Sequence, residues 1–225
     1  MRPFIVLLLV AILAVHAKID QVAEKTGETH RDATKLKGKD APEHVDHRKA
    51  FAENFKSRRI EHKSALESIK GIAKDKRRPF LEDVLKNVRG LLQEARDTLE
   101  RTNHRSDSPF PRDSDLLKGA LSKLLENTAL FTDLSLGFSK FFESKVQKDR
   151  KLKTLLVWAH NYSIQTGIFD SETAAKVNLM AQQHELIEKS ANFVNSYDKE
   201  ARETTQKSKK KNSIKADSKQ PKGEL

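Results

Sequence analysis

The stretch from Pro109 to Phe169 constrains this chain more than any other. It opens on Pro109-Phe110-Pro111, where the prolines fix φ and favour a rigid turn. A periodic apolar run from Leu116 to Leu136 follows and predicts a helix. After it come Phe138, Phe141, Phe142, the single tryptophan Trp158 and a stop at Gly167. Each large ring can bury ~150–250 Å², so the other helices either pack against this segment or stay unfolded.

At 225 residues, with 33% charged and 36% hydrophobic side chains, the chain supports one core of ordinary size. The pattern predicts an all-α bundle of about five or six helices over residues 44–197. Residues 18–43 read as a disordered arm and residues 198–225 as a disordered basic tail, because both are too polar to offset the entropy of ordering. Residues 1–17 hold one charge, Arg2, then an apolar run from Phe4 to Val15, then Val15-His16-Ala17 before Lys18. That pattern predicts a secretory signal peptide cut between Ala17 and Lys18. The run is shorter than the ~20 residues of a spanning helix, so a membrane anchor is disfavoured. Cleavage lowers the net charge by one from +11, and the chain stays basic. There is no cysteine, which excludes thiol chemistry, disulfides and zinc sites with sulfur ligands. Stability then has to come from helix packing.

A first helical segment runs from about Val45 to Ala73, with Phe51, Phe55, Leu66, Ile69 and Ala73 on one stripe. His62 shares that stripe, but His44, His47 and His62 have no convincing partners for a metal and read as solvated or hydrogen-bonded. The basic run Lys74 to Arg78 and the proline after it predict a helix end, with Pro79 in the first turn of the next helix. That helix carries Leu81, Val84, Leu85, Val88, Leu91, Leu92, Ala95 and Leu99 on one stripe, which suits an antiparallel pair within a bundle. Residues 103–115 read as a loop, and Asp113 or Ser114 starts the third helix, which shows Leu117, Leu121, Leu124, Thr128 and Phe131 on one face. Asn127 reads as a satisfied structural amide. Gly137 predicts a left-handed cap, Lys145 to Lys153 a charged link, and Leu152, Leu155, Leu156, Ala159 and Tyr162 a further helix. Trp158 lies off that stripe, where it packs on a neighbour or anchors a partner. Asp170 or Ser171 caps a last helix with Val177, Met180, Ala181 and Ile187.

No nucleotide loop, paired-histidine metalloprotease motif or calcium loop occurs in the sequence. Gly137-Phe138-Ser139 begins like a nucleophile elbow but has no second glycine and no preceding strand. No catalytic, cofactor-binding or metal-ligating residue is assigned, and the chain is expected not to be an enzyme. Two short signals carry a mechanism. Asn161-Tyr162-Ser163 is a sequon, and a leader routes it past the glycosylation machinery. Lys222, Gly223, Glu224 and Leu225 resemble the Lys-Asp-Glu-Leu retrieval address, so a retrieval receptor is an expected partner and leaky retention an expected outcome. The Lys207 to Lys211 run lacks interleaved aromatics, so nucleic acid is not expected as a partner.

Pro109-Phe110-Pro111, Glu126-Asn127-Thr128-Ala129, the Trp158 helix, Gln165-Thr166-Gly167-Ile168-Phe169 and Leu179-Met180-Ala181-Gln182 resemble, in order and spacing, the coiled-coil domain-containing protein 134 family. The similarity covers roughly Val45 to Tyr197. The resemblance implies a small helical protein of the endoplasmic reticulum lumen, partly secreted. It also implies a partnership with the lumenal Hsp90 chaperone endoplasmin, which it helps protect from aberrant glycosylation and degradation beside the translocon-associated glycosylation machinery. A secreted modulator of growth-factor and MAP kinase signalling is the alternative it carries, and a nuclear acetyltransferase adaptor is a further partner described for members. The partner surface stays open, with Trp158 and Phe169 as candidate contacts. Two features depart from the family pattern. Relatives place the sequon Asn where Ile164 stands here, and Lys222 and Gly223 replace other residues of the vertebrate ending.

Overall fold

Six α-helices and no strand fill residues 46–197, the part of the chain that the computed structural model describes. They are α1 His47–Lys70, α2 Lys74–Arg101, α3 Asp115–Gly137, α4 Ser139–Lys148, α5 Arg150–Gln165 and α6 Ser171–Gln183. The leader 1–17 with its Ala17/Lys18 junction, the arm 18–43, His44 and the tail 198–225 with Lys222 to Leu225 lie outside the described residues.

Local chemistry sets most of the helix ends. The Asp46 carboxylate accepts from the Arg48 and Lys49 amides at 3.1 and 3.2 Å and starts α1. Ser114, Asp149 and Asp170 do the same for α3, α5 and α6. α2 ends where Asn103 turns left-handed at φ 53°, which lets the His104 amide reach back to the Leu99 carbonyl at 2.9 Å. Asparagine tolerates that conformation better than other side chains with a Cβ.

Five boundaries differ from the sequence expectation. α1 stops at Lys70, so Ala73 is exposed and precedes α2 instead of ending the stripe of α1. The basic run Lys74 to Arg78 is already inside α2, and Pro79 is its sixth residue. Arg77 explains the early break: its guanidinium donates to the Lys70 carbonyl at 2.7 Å and to the Ile72 carbonyl at 2.6 Å, closing the turn between the two helices. The charged link expected over Lys145 to Lys153 shrinks to Asp149, which caps α5 and pairs with Arg89 on α2. Gly137 stays right-handed as the last residue of α3, with Phe138 as the cap, and a Cβ there would lie 3.4 Å from Leu66. Ile187 falls beyond α6, which ends at Gln183.

α3 is the centre. Every residue from Leu124 to Leu136 is buried, not only the face with Leu121, Leu124, Thr128 and Phe131. A helix that is buried all round needs neighbours on every side, and α1, α2, α4, α5 and α6 all pack on it. Its polar side chains are satisfied within the core. Asn127 donates to the Lys123 carbonyl at 2.8 Å, Thr132 to the Thr128 carbonyl at 2.8 Å and Ser122 to Glu126 at 2.7 Å. Leu81, Val84, Leu85, Val88, Leu92, Ala95 and Leu99 are buried along α2, as their spacing predicts, while Leu91 of the same stripe is only half-buried. Phe131 meets Phe142 edge to face at 5.4 Å, and each fully buried side chain of this size stabilises the fold by roughly 1.5–3 kcal/mol.

Candidate functional site

Trp158 and Phe169 face different neighbours. Trp158, half-buried on α5, lies 5.3 Å from the Tyr162 ring and has the Arg96 guanidinium 5.6 Å from its centroid. Phe169 sits 5.2 Å from Phe55 in a small apolar cluster with Leu125 and Ala129, between α1 and α3. No common aromatic face forms from the two. Asn161 is exposed on the last turns of α5, with its side-chain oxygen 2.9 Å from His160 Nδ1. Among the described residues no group of three or more His, Asp or Glu side chains is placed to hold a metal ion. None of the helices described is long and apolar enough to cross a membrane.

The structure instead brings two sequence blocks to one cleft of about 350 Å³. One wall is the α2–α3 loop with His104, Ser106 and Pro109-Phe110-Pro111, and the other is the α5–α6 turn with Gln165, Thr166 and Ile168. Arg48, from the first turn of α1, closes one side: its Nη2 donates to the Thr166 carbonyl at 2.9 Å and to the Gly167 carbonyl at 3.3 Å. A cation there also offsets the negative end of the α5 dipole. Gly167 at φ 61° makes the approach possible, since a Cβ would come within 3.1 Å of that nitrogen. Phe110 packs edge to face on Phe51 of α1 at 5.2 Å, and Ser106 donates to Gln165 across the cleft.

Tyr162 of α5 holds the cleft residue His104 twice. Its hydroxyl donates to the His104 carbonyl at 3.0 Å and lies 2.7 Å from His104 Nδ1. Tyr162 has one proton to give, so both contacts are satisfied together when His104 carries its proton on Nδ1 and donates it to the hydroxyl. Nε2 is then left as a lone-pair acceptor, buried and without a partner. Burial lowers the His104 pKa, with the Pro109 backbone pulling the other way. Burial, with some help from Asp107, pushes Tyr162 up to about 12. Tyr162 fills the place where a histidine base would need a carboxylate orienter, so a serine–histidine–acid relay is not assembled here. The cleft is lined by the Arg48 guanidinium, the Gln165 amide and the apolar side chains of Pro109, Phe110, Pro111 and Ile168.

Sequence reasoning missed this convergence. Pro109 to Pro111 and Gln165 to Phe169 stood out as blocks, but nothing in their spacing says that a tyrosine reaches a loop histidine 58 residues away. Arg48 lies in a segment that reads only as helix-forming.

A family model described as ERK and JNK pathways, inhibitor, matches residues 36–225. Mouse coiled-coil domain-containing protein 134 is 32% identical over 119 residues, 52% of this chain and 52% of the relative. The Xenopus tropicalis protein of that name is 29% identical over 119 residues, with the same coverage. The matched part of the chain thus spans about half the length of these curated relatives. No solved structure matches.

Proposed function

The chain belongs to the family described as ERK and JNK pathways, inhibitor, and from that premise we propose that it works by binding, as a non-enzymatic factor of the endoplasmic reticulum lumen that supports secretory-protein biogenesis. The observation that carries this reading is the pairing, in one sequence, of the apolar run Phe4 to Val15 before Ala17 with the retrieval-like run Lys222-Gly223-Glu224-Leu225. The helical body adds a cleft lined by Arg48, Gln165, Phe110 and Ile168, a mixed polar and apolar surface suited to binding. The leading partner is endoplasmin, kept from aberrant glycosylation and degradation during synthesis at the translocon. A retrieval receptor holds the chain in the lumen, and part of it escapes.

The second reading is a secreted helical ligand that dampens growth-factor and MAP kinase signalling, and the family description itself favours it. One experiment separates the two. The full chain is expressed with Lys222 to Leu225 native or blocked by added residues, and medium, lumenal partners and ERK and JNK phosphorylation are compared. Retention that depends on the native run, with endoplasmin recovered from the lumen, supports the first reading. Free secretion of both forms, no bound chaperone and lowered kinase phosphorylation in cells given the medium would replace it with the second.

A further inference from the structure

The Asn161 sequon is split by the helix that contains it. Successive residues of an α-helix are turned by roughly 100°, so residues two apart point about 200° away from each other. Here Asn161 faces solvent while Ser163 is 0% exposed and Tyr162 is 8% exposed. The Ser163 hydroxyl donates to Thr128 Oγ1 on α3 at 3.3 Å, inside the core. An enzyme that glycosylates a sequon must reach both the amide and the hydroxyl two residues on. In the folded chain it can reach only the amide.

We propose that Asn161 accepts an N-linked glycan only while α5 is undocked from α3, so that its occupancy records how long the chain stays open before folding. This rests on the secretory reading, since the donor is a lipid-pyrophosphate-linked oligosaccharide presented in the lumen. The Asn161 amide nitrogen attacks the anomeric carbon of that sugar and a C–N bond forms. The C–O bond to pyrophosphate breaks, the lipid pyrophosphate leaves with the electron pair, and one amide proton passes to a base of the transferase. Once the glycan is attached, α5 can still dock, because Asn161 projects outward while Tyr162 and Ser163 turn inward to His104 and Thr128. The modification is closed off by folding but does not block it.

The test uses the full chain in secretory cells, with a glycosidase-sensitive mobility shift as readout. Asp32→Asn adds an Asn-Ala-Thr sequon ahead of the helical domain and reports entry into the lumen. Ser163→Ala is expected to abolish the Asn161 shift. Leu156→Ala empties a buried position on α5 and is expected to raise Asn161 occupancy roughly twofold or more by prolonging the undocked state. In parallel, the purified mature chain, folded or unfolded in urea and diluted into the assay, is offered to purified oligosaccharyltransferase and its lipid-linked donor. Modification of the unfolded chain alone supports the proposal. Equal modification of both, or of neither while the Asp32→Asn sequon is modified, overturns it. An unmodified Asp32→Asn sequon in cells sinks the secretory reading instead, and the purified arm still decides this one.

Discussion

Arg59 on α1 holds Asp133 on α3 with two hydrogen bonds, Nη1 to Oδ2 at 2.7 Å and Nη2 to Oδ1 at 3.1 Å. Both side chains are nearly out of water, at 7% and 6% exposure. A buried pair of this kind contributes little net energy over an apolar pair, yet breaking one half is expensive. Arg59→Met is therefore expected to destabilise the domain by roughly 3–5 kcal/mol, because Asp133 keeps its place without its cation. Arg59→Met with Asp133→Leu is expected to recover most of the loss. Urea midpoints of the two variants check this, and a double variant no better than the single would show that the pair is net stabilising.

Tyr162→Phe removes the group that satisfies both His104 Nδ1 and the His104 carbonyl. A loss of roughly 1–3 kcal/mol is expected, the usual cost of leaving buried polar groups unpaired. The same variant tests the alkaline limb. Tyr162 is raised to about 12 from 10.0, so its contribution is complete below pH 10.0 and drains away as pH rises toward 12. Wild type should lose stability across that window and Tyr162→Phe should not. Parallel slopes for the two would remove Tyr162 as the cause.

His184 follows α6, fully buried, with neither ring nitrogen partnered and the Phe131 ring at 5.7 Å. Burial, with Lys153 and Lys189 adding to it, brings its pKa down to about 4 from 6.5. The folded state thus prefers neutral imidazole, so this contribution is intact above pH 6.5 and is lost as pH falls toward 4. Chemical denaturation at stepped pH should show wild type weakening through that range. His184→Leu, similar in bulk and without charge, should flatten the slope there.

Gly167→Ala places a Cβ at φ 61° and 3.1 Å from Arg48 Nη2. The left-handed conformation costs an L side chain about 1–2 kcal/mol. The expected result is a lower melting temperature that Arg48→Ala restores only in part, since removing the guanidinium relieves the crowding and leaves the backbone strain. Full restoration would assign the whole effect to Arg48.

The fold was legible wherever periodicity or a capping side chain carried it. The α2 stripe from Leu81 to Leu99, the Ser114 and Asp170 caps and the Gly167 stop all follow from local rules. The failures came where a long side chain acted across a gap. Pro79 reads as a first-turn residue until Arg77 is seen tying the α1–α2 turn shut one turn earlier. Asp149 reads as part of a charged link until it is seen capping α5 and holding Arg89. α3 reads as one-faced because Glu126, Asn127, Thr132, Asp133 and Ser135 are polar, and only tertiary partners make them core residues. For the candidate site, the sequence supplied the two walls through Pro109 to Pro111 and Gln165 to Phe169. The hold of Tyr162 on His104 was hidden, since that contact is made by topology and has no local signature.

The central place of α3 has a consequence for how the protein is made. α1 and α2 have little direct contact with each other and meet mainly through α3. Synthesis proceeds from the amino terminus, so both amphipathic stripes leave the ribosome before the helix that covers them exists. Phe55, Ile69 and the leucines of α2 must then wait in water until residues 115–137 emerge. For that interval the nascent chain exposes apolar surface of the kind that chaperones cover, so a protein proposed to guard another's biogenesis begins with the same exposure.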